Sequence, residues 1–221
     1  MTNSICLNID RIRQEIPSTT RLIVVSKQAS VDEIRIAYHT GVRDFAENRL
    51  QDALNKQEQL QDLSDICWHF IGHVQSKKAK KILTNFAWIH SVDSLKLVQR
   101  LNRLAAELKV SPQVCLQVKV LSDPDKYGWH IPELIADLSE LDRCEHLQIC
   151  GLMTILPLGL SSEQSLAAFK SLQTLARQIQ QQSWSHLNIS ELSMGMSGDY
   201  KLAIKAGATM IRPGRIIFSS Q

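Results

Sequence analysis

Short apolar runs alternate with amphipathic helical stretches along nearly the whole of this chain, and that alternation leaves few folds open. Arg21–Val25, Val42–Ala46, Ile66–Ile71, Phe86–His90, Val114–Val120, Leu147–Leu152, Glu191–Ser193 and Thr209–Arg212 read as strands. Several are apolar without a break, as expected of strands covered on both faces in a parallel sheet. Between them lie helical stretches. Val31–His39 is one, and another opens at Glu47-Asn48 with Leu50, Leu54 and Leu60 on one face. A basic helix follows, capped by Ser76 and running to about Leu83. Further helices span Asp93–Leu108, the stretch after Pro132, the face marked by Leu166, Phe169, Leu172, Leu175 and Ile179, and Tyr200–Ala206. Strand–helix alternation repeated about eight times predicts a (β/α)8 barrel. Helix comes first here, with Ile5, Ile9, Ile12 and Ile16 at helical spacing, and little chain follows the eighth strand. The N-terminal helix is therefore expected to cover what a final helix would otherwise cover.

The 221 residues suit one domain spanning the whole chain, and a hydrophobic content of 44% supplies its core. A net charge of +3 gives no footprint for nucleic acid. No apolar run is long enough to span a bilayer, and the N-terminus lacks a leader-like apolar segment. Cys6, Cys67, Cys115, Cys144 and Cys150 are odd in number and show no paired metal spacing. They read as free thiols of a cytoplasmic protein.

Two C-terminal stretches concentrate the chemistry. Ser193-Met194-Gly195-Met196-Ser197-Gly198-Asp199 and Ile211-Arg212-Pro213-Gly214-Arg215-Ile216-Ile217-Phe218 each read as a strand that breaks into glycine and then starts a helix. Glycine admits close backbone approach, and the free N–H groups of such turns favour an anion. Two of them at the C-terminal end of a parallel barrel suit a phosphate. Lys27 directly follows the first apolar strand. Burial there would favour its neutral amine, which beside a phosphate site can form a Schiff base with pyridoxal phosphate. Taken alone, a strand-end lysine more often just reaches solvent.

Several pieces occur in a telling order. They are Val25-Ser26-Lys27, Phe45-Ala46-Glu47-Asn48, Trp68-His69-Phe70-Ile71-Gly72-His73-Val74-Gln75, Gly151-Leu152-Met153, the Ser193–Asp199 run and Arg212-Pro213-Gly214. Together they resemble the pyridoxal phosphate homeostasis proteins, the YggS/PROSC (PLPBP) family, over about residues 20–218. That resemblance implies the barrel of the alanine racemase N-terminal domain standing alone, usually as a monomer. It implies Lys27 as the Schiff-base lysine and Ser197, Gly214 and Arg215 around the phosphate, the last two through backbone N–H. It further implies Arg212 facing the pyridine nitrogen, with Asn48 and Met153 beside the cofactor. Arg215, Ser219 and Lys77 depart from the usual family pattern.

The function implied is intracellular vitamin B6 homeostasis, in which pyridoxal phosphate is carried or buffered for enzymes that require it, with no catalytic residue. The rival is a pyridoxal-phosphate-dependent racemase or decarboxylase. An arginine at the ring nitrogen disfavours its protonation and weakens the electron sink such enzymes need. No opposing base falls at a strand end, Tyr127 being nearest in type. His69 and His73 have the spacing of a ligand pair but straddle a strand end, so no metal is expected. Lys77, Lys78, Lys80 and Lys81 read as a solvated helix face, with a protein-interaction surface as the third reading.

Overall fold

A computed structural model describes residues 2–219. Its helices are α1 (Thr2–Glu15), α2 (Val31–His39), α3 (Leu50–Gln59), α4 (Ala79–Asn85), α5 (Leu95–Leu108), α6 (Ile131–Leu141), α7 (Ser162–Gln180), α8 (Tyr200–Lys205) and α9 (Arg215–Phe218). The strands are β1 (Arg21–Leu22), β2 (Val24–Val25), β3 (Asp44–Glu47), β4 (Cys67–Phe70), β5 (Trp88–Val92), β6 (Gln113–Lys119), β7 (Trp129–His130), β8 (Gln148–Met153), β9 (Glu191–Ser193) and β10 (Met210–Ile211). All pairings are parallel, in the order β1-β10-β9-β8-β6-β5-β4-β3-β2, with β7 added to β6.

β1 and β2 are two halves of one strand that closes the ring. β1 pairs with β10, with Leu22 opposite Ile211, and β2 pairs with β3, with Val25 opposite Ala46. Ile23 between them donates its N–H to the Ile211 carbonyl. The result is the (β/α)8 barrel of the sequence reading. Alternation of side chains along each strand separates two apolar layers. Val24, Phe45, Phe70, Ile89, Val114 and Leu152 face the helices. Ile23, Val25, Ala46, Trp88, Cys115, Met153 and Met210 fill the barrel interior.

Local signals explain most boundaries. Ser30 caps α2 reciprocally with Glu33, and Ser161 caps α7 reciprocally with Gln164. Lys109 ends α5 in the left-handed conformation. α1 buries Ile5, Ile9 and Ile12 and packs on α2 and α9, with Glu15 meeting Tyr200 and Lys201 of α8. It thus lies against α9, the helix that follows the last described strand.

Several elements differ from the sequence reading: the strand read at Phe86–His90 lies at Trp88–Val92, and the helix read from Asp93 starts at Leu95. α3 begins at Leu50 rather than Glu47, because Asp44–Glu47 is still in the sheet. Ser76 is not the cap of this helix: it opens a 3-10 turn, Ser76–Lys78, whose cap position is Gln75, and Lys78 holds the cap position of α4. β7 had no apolar signal of its own. It exists because Gly128, at φ 124°, lets its backbone lie against Gln117, whose amide donates to the Tyr127 carbonyl.

Candidate functional site

Parallel strands deliver their C-terminal ends to one face. On that face opens a cavity of about 680 Å³, walled by the ends of β2, β3 and β10, the β8–α7 loop and the two glycine turns. Lys27, Asn48, Ser197, Arg212, Gly214 and Arg215 all line it. Met153 does not. It is fully buried in the barrel interior beneath the mouth, packed with Cys115 and Met210.

Lys27 follows β2 in a turn, and its side chain is exposed and makes no hydrogen bond or ion pair among the described residues. The burial expected from the sequence is absent, because Lys27 lies past the last paired residue of its strand. What fixes it lies behind it. Ser26 points outward, and its hydroxyl donates to Glu47 Oε1 at 2.7 Å. Lys56 of α3 reaches both Glu47 Oε1 (2.8 Å) and the Ser26 carbonyl (2.7 Å). Glu47 is wholly buried, and its Oε2 has no hydrogen-bond partner among the described residues. This buried pair ties the backbone segments that present Lys27 and Asn48. Asn48 is also pressed from the side by Gly72, where any Cβ would overlap the Asn48 carbonyl oxygen.

Ser197 Oγ accepts hydrogen bonds from the backbone N–H of Gly214 (3.1 Å) and Ile216 (3.3 Å). The two glycine turns thus meet at one point on the cavity wall, with N–H donors converging there. Gly195, at φ 92°, makes the first turn, and Asp199 holds it by accepting from Met196 N–H at 2.6 Å. Arg212 is 2% exposed at the cavity floor. Nη1 donates to Ser193 Oγ at 2.6 Å and Nη2 to the Thr154 carbonyl at 2.9 Å. Burial draws its pKa down to about 10, which leaves it a cation at neutral pH. A lysine amine, a buried guanidinium and converging N–H groups around one cavity make a site for an anionic ligand with a ring-sized body.

Sequence reasoning missed what lies below Arg212. Ser193 Oγ is 2.7 Å from His90 Nδ1, His90 Nε2 is 2.9 Å from His69 Nδ1, and His69 Nε2 is 2.9 Å from Asp44 Oδ1. The alternation of His69 with outward-facing Trp68 and Phe70 on β4 was the available signal. His73, by contrast, sits at the mouth beside Asp93 and stacked on Tyr127, with ring centroids 3.9 Å apart. His69 and His73 are not brought together. Tyr127 and Lys126 lie outside the cavity lining, and Tyr127 is 57% exposed. Lys77, Lys78, Lys80 and Lys81 are all exposed.

Among the described residues, Asp44, Cys67 and His69 alone offer grouped metal-ligand atoms, within 4.8 Å of one another. The charge of nearby Arg21, felt at both Cys67 and His69, works against a cation there.

A family model for the alanine racemase N-terminal domain matches residues 2–221. A pyridoxal phosphate homeostasis protein of Synechocystis sp. is 52% identical over 206 residues, covering 93% of this chain and 94% of the relative. PipY of Synechococcus elongatus, solved with PLP bound, superimposes with a TM-score of 0.93 at 46% identity, covering 97% of this chain and all of that one. An alanine racemase of Clostridium difficile shares the fold at a TM-score of 0.80 and 14% identity, with 99% of this chain matching 57% of that one.

Proposed function

Since this chain belongs to the pyridoxal phosphate homeostasis proteins, we propose that it binds pyridoxal 5′-phosphate at the barrel mouth and carries or buffers it for enzymes that need it. The observation that carries this reading is the single cavity shared by Lys27, the Ser197–Gly214 donors and Arg212. When bound, the cofactor supplies an aldehyde that condenses with a primary amine and a pyridine ring that withdraws electrons. Lys27 is the one lysine on the cavity and would hold the aldehyde carbon. Ser197 and the backbone N–H groups of Gly214 and Arg215 would hold the phosphate, and Arg212 would face the ring nitrogen. Asn48 would flank the ring. Met153 would support it from below rather than touch it.

The non-catalytic part of the proposal rests on which groups can move a proton. Lys27, Asp199, Arg212 and Arg215 are the charged residues on the cavity. Arg212 stays a cation, the Arg215 guanidinium offers donors and no acceptor, and Asp199 Oδ1 is tied to the Met196 N–H. That leaves Lys27 as the only amine base, with no histidine or tyrosine on the cavity lining, whereas racemisation needs a proton acceptor on each face of the substrate. We place the protein in the cytoplasm as a monomer, with residues 1–221 acting as one binding domain.

Borohydride reduction of the cofactor-loaded protein, followed by peptide mapping, should put the label on Lys27 and nowhere else. Label on Lys126 or Lys201 would overturn the assignment. Incubation with single L-amino acids in deuterium oxide should give α-proton exchange no faster than free cofactor gives. Faster exchange that vanishes in Lys27→Ala would favour the racemase or decarboxylase reading.

A further inference from the structure

Arg212 is a buried cation with no carboxylate in contact, and a charge in that position normally has a counterion. The carboxylate whose charge bears on it directly is Asp199 at the cavity, and the hydrogen bonds beneath Arg212 lead to a second one. Asp44 is the first residue of β3 and lies at the N-terminal end of the barrel, opposite the mouth, with its side chain 24% exposed. As a carboxylate it can only accept, so His69 must carry its proton on Nε2. His69 Nδ1 then accepts from His90 Nε2–H, and His90 Nδ1 accepts from the Ser193 hydroxyl. Ser193 Oγ accepts in turn from Arg212. Burial holds both histidines neutral by lowering their pKa values, so each has one donor and one acceptor nitrogen. Every donor in the file points the same way, from the cation at the mouth to the anion at the far end. Hydrogen bonds aligned in this way polarise one another.

We infer that Asp44 is a positioning residue for the ligand contact at Arg212, acting through His69, His90 and Ser193 from the opposite end of the barrel. Its charge makes Ser193 a stronger acceptor, which fixes one arm of the guanidinium and leaves the remaining N–H groups aimed at the cavity. Arg212 is the cation at the cavity floor, where a ring acceptor of the ligand would sit. The inference rests on the reading that the ligand is pyridoxal phosphate, whose pyridine nitrogen is such an acceptor. A purely structural Asp44 would affect any ligand of that shape equally.

The first measurement needs no ligand. Two-bond 15N–1H correlation spectra of the 15N-histidine-labelled protein should show Nε2–H tautomers for both His69 and His90. Nδ1–H tautomers for the pair would mean that the chain runs the other way and would overturn the inference. The second measurement compares pyridoxal phosphate with its carbocyclic analogue, in which CH replaces the ring nitrogen. Wild-type binding of pyridoxal phosphate checks the underlying reading by itself. Asp44→Asn keeps the shape and an acceptor oxygen but removes the charge. It should raise the Kd for pyridoxal phosphate about three- to tenfold and that for the analogue by less than about twofold. Equal weakening of both ligands, or of neither, while the wild type binds normally, would overturn the role of Asp44 and leave the cofactor assignment standing.

Discussion

A Cβ added at Gly214 would sit 2.8 Å from the Val25 carbonyl oxygen and 3.1 Å from Val25 Cβ. Glycine is needed there to let the β10–α9 turn lie against the first strand, and not only to admit a phosphate. Gly214→Val should therefore lose about 1–3 kcal/mol of stability by urea unfolding as well as cofactor binding, which makes it a poor probe of the phosphate alone. Ser197→Ala removes less, a single hydroxyl on the cavity wall, although that hydroxyl also accepts from the Gly214 and Ile216 N–H groups. It should weaken pyridoxal phosphate about tenfold while leaving pyridoxal nearly unaffected, as read by absorbance titration. Equal losses for the two ligands would remove Ser197 from the phosphate site. Burial, with Asp44 and Glu191 adding to it, pushes the Cys67 thiol up to about 11 and the Cys150 thiol up to about 12. Both should resist iodoacetamide at neutral to mildly alkaline pH until the protein is unfolded, because the thiolate is the reactive form. The sign follows for stability. The unfolded thiol ionises near ~8.5 while the folded one keeps its proton, so stability should fall as pH rises above that value.

At the scale of elements, the junction of β2, β3 and α3 depends on one buried ion pair. Glu47 has no side-chain exposure and Lys56 has 13%, so neither is screened by water. Lys56→Met would leave Glu47 as an uncompensated buried carboxylate and should cost about 3–5 kcal/mol. Adding Glu47→Gln should recover a large part of that loss, and urea denaturation of the single and double variants measures it. A loss near zero in the single variant would show that water reaches Glu47 when the lysine is gone.

For the whole molecule, the first and last described helices pack together. Asn8 of α1 donates to the Ile217 carbonyl of α9, and Glu15 reaches α8. Removing residues 1–16 would uncover the surface now packed by Ile5, Ile9 and Ile12 and loosen the Gly214 turn. Each buried isoleucine contributes about 1.5–3 kcal/mol, so thermal melting should show a large loss of stability. An unchanged melting temperature would mean that α1 is an appendage.

The sequence by itself determined the barrel, because apolar runs of strand length alternating with amphipathic helices have few other ways to bury both faces of a sheet. It also determined the cavity. Lys27, Asn48, Ser197, Arg212 and Gly214 each fall where a strand ends, and parallel strands bring all such ends to one face. Tertiary structure decided what position in the chain cannot express. Met153 ends a strand yet lies below the mouth, because the stagger of the barrel sets the depth of each inward side chain. Asp44, His69, His90 and Ser193 come from β3, β4, β5 and β9, and no local pattern connects them. They form one hydrogen-bonded file only because closure of the ring turns their strands inward around a common axis, where a polar group must find its partner among the other strands.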